Sequence, residues 1–284
     1  LLRKMKYNEK AVAFADASLE IDSFNMGCRY ERYLASGENS DLEKLKELMR
    51  DWSHGYIEYA LDFVAGGLYE EAAGLLGLYL QDVEKVYPII YYLLGYICMK
   101  QSNPFLAQEY FVKAEKCDST YCFPNRIEEV LILQEAVRQN PSDAKSFYYL
   151  GNFWYASRRY ENAVSCWEQS ATIDPEFPTV WRNLSLAYYN KCNNREKAVA
   201  ALEKAFALDN TDARILMELD QLYKKLGRSY AERLIFLEKH VALVESRDDL
   251  ALERITLYNQ LGRYSEAKAL LAARKFHPWE GGEG

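Results

Sequence analysis

The sequence runs to 284 residues, about half of them apolar, with 23 Tyr but only 14 Gly and 7 Pro, and its formal net charge is −7. So few turn formers exclude a chain of many short strands. Basic residues come no denser than the pairs Arg158–Arg159 and Lys224–Lys225, which excludes the basic stripe that nucleic acid or an anionic membrane would require.

No apolar run reaches the ~20 residues of a membrane span, and no signal-peptide pattern opens the chain. It starts at Leu1–Leu2 and closes in Gly-Gly-Glu-Gly, which reads as a piece of a longer protein. The six Cys, at 28, 98, 117, 122, 166 and 192, show neither CxxC nor zinc-ligand spacing with His. Free thiols on apolar helix faces fit a reducing cytoplasm.

Taken in order, the first segment, 1–52, is degenerate. Tyr7, Ala11, Ala15 and Ser18 mark one helix ending at Ile21-Asp22. The following stretch is helical but irregular, with a turn at Ser36-Gly37-Glu38-Asn39-Ser40. Over 53–121 two similar units follow. Tyr59, Ala60, Phe63, Gly67, Tyr69, Ala72 and Leu76 define one, and Tyr91, Leu94, Gly95, Ala107, Phe111 and Ala114 the next. The segment 122–143 breaks the period. Phe123-Pro124-Asn125 precedes a single helix, closed by Asn140-Pro141, expected to be the second helix of a repeat that lost its first. Three units occupy 144–247, and 248–284 holds a divergent last repeat, with Tyr258, Gly262, Tyr264 and Ala267, and a connector.

The clearest unit reads Phe147-x2-Leu150-Gly151-x2-Trp154, then Tyr160, Ala163-x3-Trp167 and Pro175. Large apolar residues three or four apart make one stripe per helix. Gly151 and Ala163 permit close approach, and Pro175 stops the second helix. The next unit repeats it with Trp181, Leu184, Ser185, Tyr188, Ala198, Leu202 and Ala205. Arg158 stands where the turn favours Gly, and Arg233 and Lys239 stand near places usually given to small residues.

This pattern resembles the tetratricopeptide repeat family. The resemblance implies an all-α, right-handed superhelical solenoid of antiparallel helix pairs, about sixteen helices, with a concave face lined by first helices. It further implies a non-catalytic scaffold holding a protein or peptide, or another domain of the same chain. By spacing, the groove-facing residues are Tyr92, Tyr96, Tyr148, Asn152, Tyr155, Arg182, Asn183, Tyr189, Asn190, Arg214, Gln221 and Lys224. Tyr and Arg supply large contact area and directional donors at such surfaces. Some family members grip a peptide's terminal carboxylate. Asn152, Asn183 and Arg214 match that arrangement, while Tyr148 and Glu218 depart from it.

Chemistry-bearing patterns are scarce. His54, His240 and His277 are isolated, no phosphate loop follows Gly66-Gly67, and Glu70–Glu71 and Glu128–Glu129 read as solvated pairs. No cofactor or metal is expected. The terminal run with His277, Trp279 and Glu280 is a connector or a contact loop. Together with Tyr121–Arg126 and Phe177–Leu184, it resembles the repeat region of large bacterial proteins. Those carry an uncharacterised amino-terminal domain similar to sugar-processing β-sandwiches. That resemblance implies an alternative, an accessory arm of a carbohydrate-active enzyme with an aromatic groove on glycan. A helical-toroid hydrolase would need paired carboxylates that the sequence does not place.

Overall fold

The computed structural model describes residues 1–277. Among them are seventeen α-helices and no strand. They are α1 (Asn8–Ile21), α2 (Met26–Ser36), α3 (Asn39–Met49), α4 (Ser53–Ala65), α5 (Tyr69–Asp82), α6 (Pro88–Lys100), α7 (Pro104–Lys116), α8 (Ile127–Gln139) and α9 (Ala144–Ala156). Then follow α10 (Tyr160–Ile173), α11 (Pro178–Asn190), α12 (Arg195–Leu208), α13 (Ala213–Lys225), α14 (Tyr230–Glu238), α15 (Val241–Glu245), α16 (Asp248–Gln260) and α17 (Tyr264–Ala273). The helix beyond the expected sixteen is α15, a five-residue piece cut from the end of α14 at His240.

The helix boundaries follow from local chemistry. Pro88, Pro104 and Pro178 each open a helix, where the missing N–H has no intrahelical partner to lose. Asn25, Asn103, Asn194, Asp212 and Ser229 cap helices by accepting backbone N–H bonds. The turns inside the pairs recur at 67, 102, 158, 193, 227 and 262, every one with positive φ. Gly fills three of these places, whereas Ser102, Arg158 and Asn193 adopt the left-handed conformation with a side chain.

Contacts divide the chain into two compact units, Leu1–Ala156 and Ser157–Gly284. In the first, α4 packs on α5 and α6 on α7. Gly95 sits so close to the fully buried Phe111 that a Cβ at this position would lie 2.4 Å from the ring. The lone helix α8 packs against α6 and α9. It therefore packs on the first helices before and after it, as α5 does on α4 and α6. Its start is secured by Glu129, whose carboxylate accepts the N–H groups of Asn125 (2.7 Å) and Arg126 (2.9 Å).

Glu129 is fully buried and Glu71 nearly so, which corrects the reading of both Glu pairs as solvated. Only Glu70 and Glu128 face water. Glu71 is drawn inward by Arg3 (2.8 Å) and Lys4 (2.5 Å). Burial pushes its carboxyl up, but the bonds from Lys4 and Arg3 outweigh that and hold it below its ordinary value.

The second unit is more regular. Tyr188 donates its hydroxyl to Glu168 (2.6 Å), Tyr223 to Glu203 (2.6 Å) and Tyr258 to Glu238 (2.7 Å). Both the tyrosines and the glutamates recur at one 35-residue interval, so each bond ties a second helix to the next first helix. A cation lies over every ring: Lys197 at 5.1 Å, Arg228 at 3.6 Å and Arg263 at 4.5 Å. The three rings are buried, so each cation closes over an aromatic face at the end of a hydrogen bond to a part-exposed glutamate. This ladder fixes α11 against α10 and α13 against α12, and thereby sets the wall of the site described next.

Between α13 and α14 the small residue of the pattern is replaced by Arg233, which is 1% exposed. Its guanidinium forks onto Asp220, at 3.0 and 2.6 Å, and reaches Glu253 at 2.6 Å. Lys224 binds the same Glu253 at 3.0 Å. Burying one cation among two carboxylates satisfies the guanidinium fork where close packing is lost.

Candidate functional site

In the second unit a cleft of about 510 Å³ opens between α11 and α13, floored by Leu202 of α12. On α11 the residues Arg182, Ser185, Leu186, Tyr189 and Asn190 point into it, and on α13 Met217, Glu218, Gln221, Leu222 and Lys225 do so. Both sets follow the 3.6-residue period, each covering one helix face. Inside the cleft Arg182 forms a bidentate pair with Glu218, its Nε lying 2.6 Å from the carboxylate. That pair ties the two walls together and neutralises the only carboxylate in the lining. Leu186 is 49% exposed, an aliphatic side chain held open to water. The Lys225 ammonium lies 5.5 Å from the centre of the Tyr189 ring. The cleft thus combines an apolar floor, two amide side chains and a cation, with a bidentate pair holding its shape. It has the composition of a recognition surface.

Of the residues expected from sequence, Arg182, Tyr189, Asn190 and Gln221 meet in this cleft. Asn183 is half-buried, one position further round α11. Arg214 is exposed one turn before Glu218 on α13. Lys224 turns to the opposite flank, onto Glu253 of α16. Tyr96, Asn152 and Tyr155 belong to the first unit and are half-buried there on α6 and α9, with Lys100 over the Tyr96 ring at 4.9 Å.

Two expectations need correction. Tyr92 is fully buried and Tyr148 is 4% exposed, so neither lines an open groove. Tyr92 meets Tyr149 edge-on, with ring centres 6.0 Å apart, and donates its hydroxyl to the buried Asp143 at 2.7 Å. Burial, and then the neighbouring carboxylate, push the Tyr92 hydroxyl well above its usual range. Tyr148 packs its ring against Tyr149, 5.4 Å away. An aromatic on a first helix turns inward when the core beside it offers a polar partner or another ring.

At the carboxyl end, Asp248 accepts from the His277 backbone N–H at 2.9 Å and from Arg274 Nε at 2.8 Å, and lies 2.9 Å from His277 Nδ1. These bonds pull its carboxyl far below the usual range, while the imidazole stays exposed. Trp279 and Glu280 lie outside the described residues. Among the described residues no three His, Cys, Asp or Glu side chains gather closely enough to hold a metal ion. None of the described helices is long and apolar enough to cross a membrane.

Sequence reasoning missed Leu186, Met217 and Lys225. A usable signal was present. Leu186 lies four residues after Arg182, and Met217, Gln221 and Lys225 recur at helical spacing on the face of α13 that carries Glu218.

Stacked helix pairs with a fixed interval and positive-φ turns define an all-helical repeat fold. Residues 179–212, which hold α11 and α12, match the tetratricopeptide repeat family. Tetratricopeptide repeat protein 37 of Xenopus laevis is 26% identical over 134 residues, covering 45% of this chain and 8% of that protein. The chain therefore spans a small part of this relative's length. Among solved structures, PilF of Pseudomonas aeruginosa is 18% identical, covering 78% of this chain and 89% of its own, with a TM-score of 0.42. TTC0263 of Thermus thermophilus, a thermophilic TPR protein, is 20% identical, with 76% and 98% covered and a TM-score of 0.39. YrrB, described as a TPR protein with an unusual peptide-binding site, is 22% identical, with 76% and 85% covered and a TM-score of 0.30.

Proposed function

We propose that this chain is a non-catalytic scaffold that holds a peptide or a segment of a protein partner in the α11–α13 cleft. The observation that carries this reading is the cleft itself, where Leu186 is held open to water beside Tyr189, Asn190 and Gln221. An exposed aliphatic side chain flanked by an aromatic ring and amide donors gives a partner both buried area and backbone hydrogen bonds. The carboxylate and imidazole groups of the second unit are committed to ion pairs or dispersed, which supports holding over turnover. Glycan binding would need open aromatic platforms. With Tyr92 and Tyr148 inside the core, the expected aromatic patch is reduced, and the peptide reading is favoured.

The test is comparative capture. Wild-type protein and the variants Leu186→Glu and Tyr189→Ala are used as bait, with Tyr264→Ala on the exposed face of α17 as control. Partners retained by wild type and control should lose at least about tenfold in affinity for the cleft variants, the scale of a central contact residue. Equal retention by all four proteins removes the cleft from the function.

A further inference from the structure

The charges along the cleft narrow the kind of segment that fits it. On α13 the helical period places Arg214, Glu218, Gln221 and Lys225 along one face. The middle of this face is electrically spent, because Glu218 is held by Arg182. The two ends are not. Arg214 and Lys225 are exposed, and neither forms an ion pair with a described residue. The Lys225 ammonium rests only over the Tyr189 ring. Near Arg214, the Asp212 carboxylate is engaged with the backbone, accepting the Arg214 N–H at 2.7 Å, so it does not claim the guanidinium. Two unneutralised cations thus bracket an apolar, amide-lined centre formed by Leu186, Met217, Asn190 and Gln221.

The spacing has consequences. At about 1.5 Å of rise per residue, Arg214 and Lys225 stand about 16 Å apart along the helix axis. Extended chain alternates its side chains between two faces, so groups that meet both cations stand an even number of residues apart; four residues at ~3.3 Å cover about 13 Å, and the long Arg214 and Lys225 side chains span the rest. A like-charged or neutral segment would leave both cations facing water or each other's partners without gain. Carboxylates at that separation meet both while an apolar side chain between them reaches the floor. We propose that the occupant of the α11–α13 cleft is an extended acidic segment, with one aliphatic side chain midway between two carboxylates about four residues apart. This rests on the cleft being the binding surface and adds the charge and register of what binds. Opposite charge here sets orientation and selectivity more than total affinity.

The experiment uses the full chain labelled with 13C at its five methionine methyls, reading the Met217 signal by NMR. The probes are three acetylated, amidated pentapeptides, in which residues 1, 3 and 5 share one face: Asp-Ser-Leu-Ser-Asp, Lys-Ser-Leu-Ser-Lys and Asp-Ser-Ser-Ser-Asp. The first should shift Met217 with a Kd about tenfold below that of either other peptide, as two exposed ion pairs and one buried side chain allow. That preference should shrink as salt rises. The double variant Arg214→Glu with Lys225→Glu changes only exposed side chains and should prefer the lysine peptide. Equal shifts from the two leucine peptides would overturn the charge assignment while leaving the cleft as a binding surface. If no peptide moves Met217, the acidic-segment proposal fails, and the capture comparison decides separately whether the cleft binds anything. A Met217 shift that grows with protein concentration alone assigns the cleft to a second copy and also overturns the proposal.

Discussion

The two contact units join their helix pairs by different chemistry. In residues 157–277 the connection is periodic. Tyr188, Tyr223 and Tyr258 each reach a glutamate of the preceding second helix, on the rim of the stack, with a cation over the ring. In residues 1–156 buried tyrosines at other repeat positions have individual partners. Tyr92 meets the buried Asp143, and Tyr30 donates to the Glu71 backbone carbonyl at 3.1 Å. In the ladder the rings are buried and the glutamates they bind stay part-exposed. Inward tyrosines use the same residue type to fill space around a lone helix. The same residue type therefore pairs with a part-exposed carboxylate in one unit and with a buried acceptor in the other.

The most severe way to break the regular unit is at Arg233. Arg233→Ala strands Asp220, which is fully buried, and should cost about 3–5 kcal/mol in urea unfolding, the range for removing one partner of a buried ion pair. Glu253 keeps Lys224, so the damage centres on Asp220. Arg233→Met combined with Asp220→Leu removes both charges and should recover most of that loss. A double variant as unstable as the single one would show that the ion pair is needed for more than its own desolvation.

The hydroxyls separate the two chemistries more finely. Tyr92→Phe removes a donor from a carboxylate sealed in the core and should cost about 2–3 kcal/mol. Tyr223→Phe removes a donor from the exposed Glu203, which water can satisfy, and should cost about 1 kcal/mol or less. Equal losses in chemical denaturation would erase the distinction between inward and rim tyrosines.

Much of this was open to a reader of the sequence, and the remainder was hidden for identifiable reasons. The helix pairs, their turns and the all-α class follow from apolar spacing and from Pro and Gly placement. Arg182, Tyr189, Asn190 and Gln221 were reachable because helix periodicity fixes which residues share a face. Tyr92 and Tyr148 were misplaced because periodicity locates a Cβ but not the rotamer, and an aromatic ring at a face boundary turns towards whichever partner lies nearer. Asp143, which draws Tyr92 inward, lies 51 residues away, beyond any local pattern. Glu129 was hidden likewise, since a helix-start carboxylate is buried only when the preceding loop folds over it. Arg233 was visible as a departure, but its compensation by Asp220 and Glu253 required three helices to be brought together.

Acid should expose the charge chemistry of the second unit before that of the first. In Glu253 and Glu238 burial pushes the carboxyls up, but bonds from Arg233 and Lys224, and from Arg254 and Tyr258, outweigh it and hold them below the ordinary 4.5. A carboxyl lowered in the folded state stabilises above its unfolded value and loses that contribution as pH falls through its folded one. Asp143 runs the other way, because burial raises it despite the bond from Tyr92. Protonation, which begins above its ordinary range, relieves it instead. Amides of α13 to α16 should therefore lose hydrogen-exchange protection sooner than those of α6 and α9 as pH falls below the ordinary 4.5. Simultaneous loss across both would mean that the ladder and its ion pairs contribute nothing distinctive to acid sensitivity.

The smallest expected effect concerns the turn positions that every pair shares. Arg158 holds φ +60 where Gly227 and Gly262 hold +76 and +74. A Cβ in the left-handed region meets the following carbonyl and costs about 1–2 kcal/mol. Arg158→Gly removes that strain but frees the unfolded chain, so the net gain should be only about 0.5 kcal/mol. Asn193 tolerates the same conformation through its short polar side chain, and Asn193→Gly should change stability less than Arg158→Gly does. The reverse substitution, Gly227→Arg, should lower the thermal midpoint. If Arg158→Gly lowers it too, the guanidinium contributes a contact outweighing its backbone strain, and the six turns are equivalent in geometry but not in energy.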